Sequence, residues 1–293
     1  MNDILCLSID AESESGSALA KKYGVRGYPA LLFLNSDGSP RDSISGYMPT
    51  APFQAEVQRI KSGEGTVAAF REEIASDADA LAPRFKLIKK LANFNAKADI
   101  EAQRSEIGRI VESGKGFDAK SVQSVWELYR NLKEVGMTDL AQAQVTTIKR
   151  LDPEGKSMPM RRMTFDGLMA DLRSPGGLSA VESFLAQETY DEILFDGWYA
   201  VYSLHDGAAK KTRKRDEHKV SRHAARAAAI QLWKHAPKKH HARLGNAIAW
   251  GFYEDGEDLT ETEKAFAVQV AKIAMEASEG DVNVIDTYAC CLF

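Results

Sequence analysis

The sequence predicts two unlike parts: a short α/β region over residues 1–62 and a larger all-α helical-repeat region over residues 64–293. Three observations carry that expectation. The first 60 residues alternate strand-length apolar runs with short helical patterns. Beyond about residue 64 the apolar spacing is helical throughout. Between the two lies Ser62-Gly63-Glu64-Gly65, a stretch rich in chain-breaking residues.

In the first part, Ile4-Leu5-Cys6-Leu7-Ser8-Ile9 is an apolar run of strand length ended by Asp10. Ala18, Leu19, Ala20 and Tyr23 share one face of a short helix, and Gly24 stands where that helix would stop. After Gly27-Tyr28-Pro29, the continuous run Ala30-Leu31-Leu32-Phe33-Leu34 reads as a strand covered on both faces. Asn35-Ser36-Asp37-Gly38 is a hairpin turn, because Asp-Gly supplies the positive φ such a loop needs. A partly polar strand from Arg41 to Ser45 ends at Gly46. Thr50 then caps a helix through Ile60, with Pro52 in its first turn and Phe53, Val57 and Ile60 on one face.

In the second part the spacing predicts helices over 79–94, 98–113, 119–134, 138–150, 160–172, 178–187, 190–205, 219–235, 243–254, 261–277 and 283–293. Gly114-Lys115-Gly116, Asp152-Pro153, Ser174-Pro175-Gly176-Gly177 and Pro237 are among the separators.

Composition narrows the function classes. The chain is 44% hydrophobic and 27% charged, with 38 basic residues against 42 acidic ones, so it can fill a sizeable core and is not disordered as a whole. No apolar run reaches the roughly 20 residues of a membrane-spanning helix. Met1-Asn2-Asp3 places no basic region before the first apolar stretch, as a signal peptide would. Three cysteines, Cys6, Cys290 and Cys291, make no disulfide framework and leave the redox compartment open.

The segment from Tyr23-Gly24-Val25-Arg26-Gly27-Tyr28-Pro29-Ala30 through Leu34 resembles the second half of a thioredoxin fold, where a Gly-Val-x-Gly-x-Pro-Thr loop leads into a central strand. The resemblance covers residues 3–61, with Ala30 in place of the usual threonine. It implies that Pro29 is cis and that Tyr28 and Pro29 are the substrate-binding residues, Tyr28 offering its backbone to an extended substrate. It also implies a Cys-x-x-Cys pair at a helix N-terminus, which lowers the attacking thiol's pKa. No Cys-x-x-Cys occurs in this chain, so no catalytic residue is assigned. In the family's sheet order, the strand expected at Ile4–Ile9 corresponds to the third, and a missing strand would separate it from Ala30–Leu34. The expectation is therefore that Met1 is not the natural start and that the complete protein carries the cysteine pair upstream. Cys6, inside an apolar strand, reads as a small buried hydrophobe.

Val125 to Pro153 resembles a tetratricopeptide repeat, with Leu128, Tyr129, Leu132, Gly136, Ala141, Val145 and Ile148 on the repeat's spacing. A second such unit is read from Asn246 to the end. The phrases Ala249-Trp250 and Asp286-Thr287-Tyr288-Ala289 look like degenerate tetratricopeptide tails of bacterial proteins. Asp206-Gly207 and Asp255-Gly256, each expected just after an aromatic-rich helix, suggest a further unit at 190–235. Such repeats stack as a solenoid whose concave face commonly binds peptides or proteins. The last helix is apolar and uncapped, so the C-terminus also reads as premature, with Cys290 and Cys291 as packing residues.

Residues 210–243 carry twelve Lys and Arg against Asp216 and Glu217, and five of the six histidines: His218, His223, His235, His240 and His241. This basic stretch could meet phosphates, or pair with the acidic remainder of the chain. No nucleic-acid motif accompanies it, and the histidine spacings complete no metal-ligand set, so neither nucleic acid nor metal is expected. No phosphate-binding loop, nucleophile elbow or other cofactor motif is present, and no cofactor is expected. The sequence-level expectation is a thioredoxin-family protein serving thiol–disulfide exchange, with protein or peptide partners. The alternative is a non-catalytic adaptor that binds a protein through its repeats. Compartment and oligomeric state stay open, export being compatible with an incomplete N-terminus.

Overall fold

The computed structural model describes residues 5–211 and 215–292, apart from the side chains of Arg215 and Glu257. Ile4 of the first expected strand, Arg213 and Lys214 of the basic stretch, and Phe293 lie outside the described residues. The chain divides into two compact units, residues 1–159 and 160–293.

The first unit opens with helix α1 (Glu14–Lys22), whose first turn is capped by Ser13: its hydroxyl accepts the Gly16 N–H at 3.1 Å. Strands β1 (Ala30–Leu34) and β2 (Pro40–Ser45) pair antiparallel across the Asp37-Gly38 turn, with Ala30 opposite Ser45 and Leu32 opposite Ser43. Gly38 holds φ 79° there, the left-handed conformation the turn requires. Helix α2 (Thr50–Ser62) follows. Its N-cap is Pro49 rather than Thr50, which is already helical, so Thr50 makes no cap. Arg41 of β2 donates to the Ile60 and Lys61 carbonyls at 3.1–3.2 Å, placing a cation on the open C-terminal end of α2.

The run Leu5–Ile9 forms no strand. A strand is defined by its ladder, and among the described residues the sheet holds only β1 and β2. Without a neighbour the segment stays open to solvent, Leu7 being 73% exposed. Cys6 is exposed with it, not buried as the strand reading required.

Five further helices complete this unit: α3 (Val67–Ser76), α4 (Leu81–Leu91), α5 (Lys97–Glu112), α6 (Val122–Glu134) and α7 (Thr138–Leu151). Only α3 lacks a counterpart in the sequence reading. Phe85 and Ile88 of α4, Ile107 and Ile110 of α5, Leu128 and Leu132 of α6 and Ala141 of α7 form the main core. Leu87 and Leu91, on another side of α4, pack with Val67 and Phe70 of α3. Val135 ends α6, Gly136 takes φ 77°, and the Met137 N–H returns to the Leu132 carbonyl at 2.8 Å, a Schellman closure. Arg104 of α5 donates to the Val135 carbonyl over that bend, and a Cβ on Gly136 would sit 3.0 Å from its guanidinium.

The second unit contains most of α8 (Met158–Ala170), then α9 (Gly177–Leu185), α10 (Asp191–Lys211), α11 (Arg215–Lys234), α12 (His241–Asp255), α13 (Glu261–Ala277) and α14 (Val282–Leu292). Phe165, Val181, Leu185, Ile193 and Val201 form one core cluster; Leu232, Ile248, Phe252, Val270 and Ala271 form another. Asp206-Gly207 does not follow a helix but lies inside α10. A glycine costs a helix only about 1 kcal/mol, and Asp206 is engaged by a partner on α11. Asp255 does end its helix, with Gly256 as the C-cap residue.

That partner, Arg222, is buried and meets both Asp-Gly aspartates: Asp206 at 2.8 Å and Asp255 at 2.6 Å. It also donates to the Gly251 carbonyl. One turn on, buried Arg226 bonds Asp255 at 2.7 Å and Glu263 at 2.9 Å. Glu263 closes a capping box with Thr260 at the start of α13. Burial pushes the Glu263 carboxyl up, but the Thr260 backbone N–H and Arg226 outweigh it and hold the group below the usual carboxylate range. No helix among the described residues is long and apolar enough to cross a membrane.

Candidate substrate-docking loop

The chain leaves α1 through Tyr23 and Gly24, with the Val25 N–H bonded to the Ala20 carbonyl at 2.9 Å. Gly24 has φ 69°, and a Cβ there would meet Asn95 at 2.8 Å, so only glycine fits this close approach. The Tyr23 hydroxyl donates to the Gly38 carbonyl at 3.2 Å, fixing the hairpin turn against the end of α1. Between these anchors and β1 runs Arg26-Gly27-Tyr28-Pro29, exposed throughout. The Tyr28–Pro29 peptide bond is cis. Beyond it the Pro29 carbonyl accepts the Gly46 N–H at 2.9 Å.

Tyr28 is 67% exposed, and Tyr47, next to Gly46, is more open still. Two aromatic rings thus stand at one end of the hairpin. Tyr47 escaped the sequence reading, although an aromatic directly after the glycine that ends β2 was the available signal. β1 is paired on one side only among the described residues, leaving amides and carbonyls of its other edge for a further extended segment. The loop residues Arg26 to Pro29 include no thiol, imidazole or carboxylate.

The hairpin is braced from behind by a buried charge. Asp42 faces inward beside Ile44 on β2, with its side chain 0% exposed. It accepts from Arg59 of α2 at 2.6 Å, from Lys90 of α4 at 2.7 and 2.8 Å, and from the Ser43 N–H at 2.8 Å. Burial alone would raise the Asp42 carboxyl; the Lys90 and Arg59 hydrogen bonds override it and hold the group below the usual range. Hydrogen bonding to Arg59 lowers Glu56 in the same cluster, against a smaller upward push from burial.

The other residues singled out from the sequence lie elsewhere. Cys291 packs against the core of the second unit, and burial with the neighbouring Cys290 pushes its thiol up to about 11. Part of the basic stretch is spent internally, on the Arg222 and Arg226 contacts and on Lys219 with Asp258 at 2.9 Å. His218 bonds the Ala209 carbonyl, His235 bonds Asp191, His241 bonds the Ala236 carbonyl, and His240 stacks on Phe195 at 5.3 Å.

Comparison with known families gives a match over residues 7–61, to the model of the thioredoxin-like domain. No curated protein and no solved structure matches the chain at a significant level. Residues 7–61 thus match a thioredoxin-like domain, and the described residues that follow are largely helical.

Proposed function

We propose that this chain supplies the substrate-docking part of a thiol–disulfide exchange protein. The observation that carries the reading is the exposed Tyr28–Pro29 loop leading into a strand that, among the described residues, is paired on one edge only, inside a region matching a thioredoxin-like domain. An extended polypeptide laid along the loop meets the backbone at Tyr28 and the aromatic surface of Tyr28 and Tyr47. Residues 1–293 contain no Cys-x-x-Cys, and in this reading the redox dithiol is supplied from outside them. Determining the coding sequence upstream of codon 1 tests this. A strand followed by Trp-Cys-x-x-Cys in frame supports it, and a frame without a cysteine pair overturns it. In the dithiol-bearing protein, Tyr28→Ala raises KM for a disulfide-linked polypeptide several-fold and leaves kcat nearly unchanged.

A second reading is favoured by a different observation: Trp250 and Tyr253 stand side by side and exposed on α12, their ring centroids 5.3 Å apart. Here the tetratricopeptide-like helices bind a polypeptide, and the thioredoxin-like region serves as scaffold. Selection of a displayed random heptapeptide library on the full chain carrying Tyr28→Ala tests it. Enrichment over an unrelated control protein supports the reading, and its absence removes it.

A further inference from the structure

The first unit carries a sheet edge without a strand and, in the same chain, a strand-like run without an edge. Strand β1 is bonded to β2 alone among the described residues. The Pro29 carbonyl accepts the Gly46 N–H, and bonded positions alternate along an antiparallel pair, so Leu31 and Phe33 turn their backbone groups toward β2. The N–H and C=O groups of Ala30 and Leu32 therefore point out of the open edge, where the sheet offers them no partner. Strand β1 reads Ala-Leu-Leu-Phe-Leu, with no charge and no internal proline to discourage a further strand.

The side chains at that edge say what would cover it. Leu31 stands opposite Ile44 and Phe33 opposite Asp42, so these four share one face of the hairpin. Ile44 and Asp42 are buried, whereas Leu31 and Phe33, nearer the open edge, are still partly exposed. An added strand covers them if it presents apolar residues at every second position. Leu5, Leu7 and Ile9 are 85%, 73% and 52% exposed at that spacing, and among the described residues no other three large exposed apolar side chains stand at alternate positions. In its own copy this run is tied at its end, where the Asp10 carbonyl accepts from the Ser13 N–H and hydroxyl at the start of α1, and it makes no ladder with β1.

We infer that two copies of this chain exchange these elements. Leu5–Ile9 of each copy pairs with the open edge of β1 in the other, bonding the Ala30 and Leu32 backbone, and Leu5, Leu7 and Ile9 cover Leu31 and Phe33. Cys6 and Ser8 fall on the other face of the added strand. Each copy gives one strand and receives one, so the arrangement closes as a twofold dimer and leaves neither element of either copy over. The contact is made twice and buries on the order of 1,200 Å² in all, the lower end of what stable interfaces bury. The inference goes beyond the docking reading and needs no dithiol. It adds a regulation to the edge: paired copies close β1 to any other extended segment.

Light scattering on the full chain over a concentration series reads the mass, and amide hydrogen exchange reads the place of contact. The expected mass at high concentration is twice 32.3 kDa, with the Ala30 and Leu32 amides exchanging slowly. Leu7→Lys changes an exposed side chain and spares the hairpin. It should raise the dimer dissociation constant at least tenfold, because an ammonium enters both copies of an apolar contact. The Ala30 and Leu32 amides should then exchange fast, while that of Leu31, bonded to β2, stays protected. A chain that remains at 32.3 kDa at every concentration overturns the inference; slow Ala30 and Leu32 amides in that monomer would assign the edge to a segment of the same copy. A dimer that Leu7→Lys leaves intact lies on another surface and overturns it as well, as does a mass that grows without limit. The docking reading is measured by KM for a polypeptide instead, so the two fail separately.

Discussion

Replacing Asp42 by asparagine keeps the shape of the side chain and removes the charge that Arg59 and Lys90 converge on. Removing one member of a fully buried ion pair costs about 3–5 kcal/mol. Here the two cations are 23% and 25% exposed and can turn toward water, so the loss comes to about 2–3 kcal/mol. The pH dependence has a definite sign. The folded Asp42 carboxyl lies below its ordinary 3.8, so the folded state binds the proton less readily than the unfolded chain. Its contribution is fully present above the unfolded value and is lost as pH falls through the folded one. Asparagine does not titrate in that window. The gap between the wild-type chain and Asp42→Asn should therefore be constant above about pH 5 and shrink steadily below pH 4. Urea unfolding followed through the amide resonances of Leu31 and Ile44, at pH 7 and at pH 3, measures both quantities. A gap below about 0.5 kcal/mol at neutral pH, or one that persists undiminished at pH 3, refutes the reasoning.

Three further outcomes follow from the same kind of argument. Gly136→Ala forces a Cβ onto a residue at φ 77° and against Arg104, and should lower the urea midpoint by the equivalent of about 1–2 kcal/mol, read by Trp126 fluorescence. Asp255→Asn removes the carboxylate shared by two buried arginines and should cost about 3 kcal/mol or more, seen as a lower melting temperature by circular dichroism. With an aromatic disulfide reagent at pH 8, exposed Cys6 should react first and Cys291, its thiol pushed up to about 11, last; equal rates would contradict the burial of Cys291.

Local chemistry was legible in the sequence, and long-range pairing was not. The Asp37-Gly38 hairpin, the stop at Gly24 and the helices around Gly136 all follow from residues within one turn of each other. The Tyr28–Pro29 loop was legible because its motif is contiguous. Helix α3 carries only Val67, Phe70 and Ile74 as large apolar residues, too few for a periodicity to stand out, and its register is set by Leu87 and Leu91. The Leu5–Ile9 run shows the opposite failure: it has strand composition, but a strand also needs a neighbour to hydrogen-bond. Asp42 lies 17 and 48 residues from its partners, and nothing local marks it beyond a charge on the same strand face as Ile44. The Asp-Gly pairs were visible, but as punctuation; their common role as partners of Arg222 required the packing of α10, α11 and α12.

That shared arginine bears on how the second unit comes apart. In a stack of helices held only by neighbour-to-neighbour apolar contact, terminal helices can peel away one at a time, with opening energies that rise gradually toward the centre. Arg222 and Arg226 project from α11 to α10, α12 and α13 together, so detaching any one of these helices exposes a buried charge in the others. Fraying is thereby converted into an all-or-none event: amides of α10 through α13 should exchange with solvent as a single block, at one common free energy, while those of α14 exchange earlier.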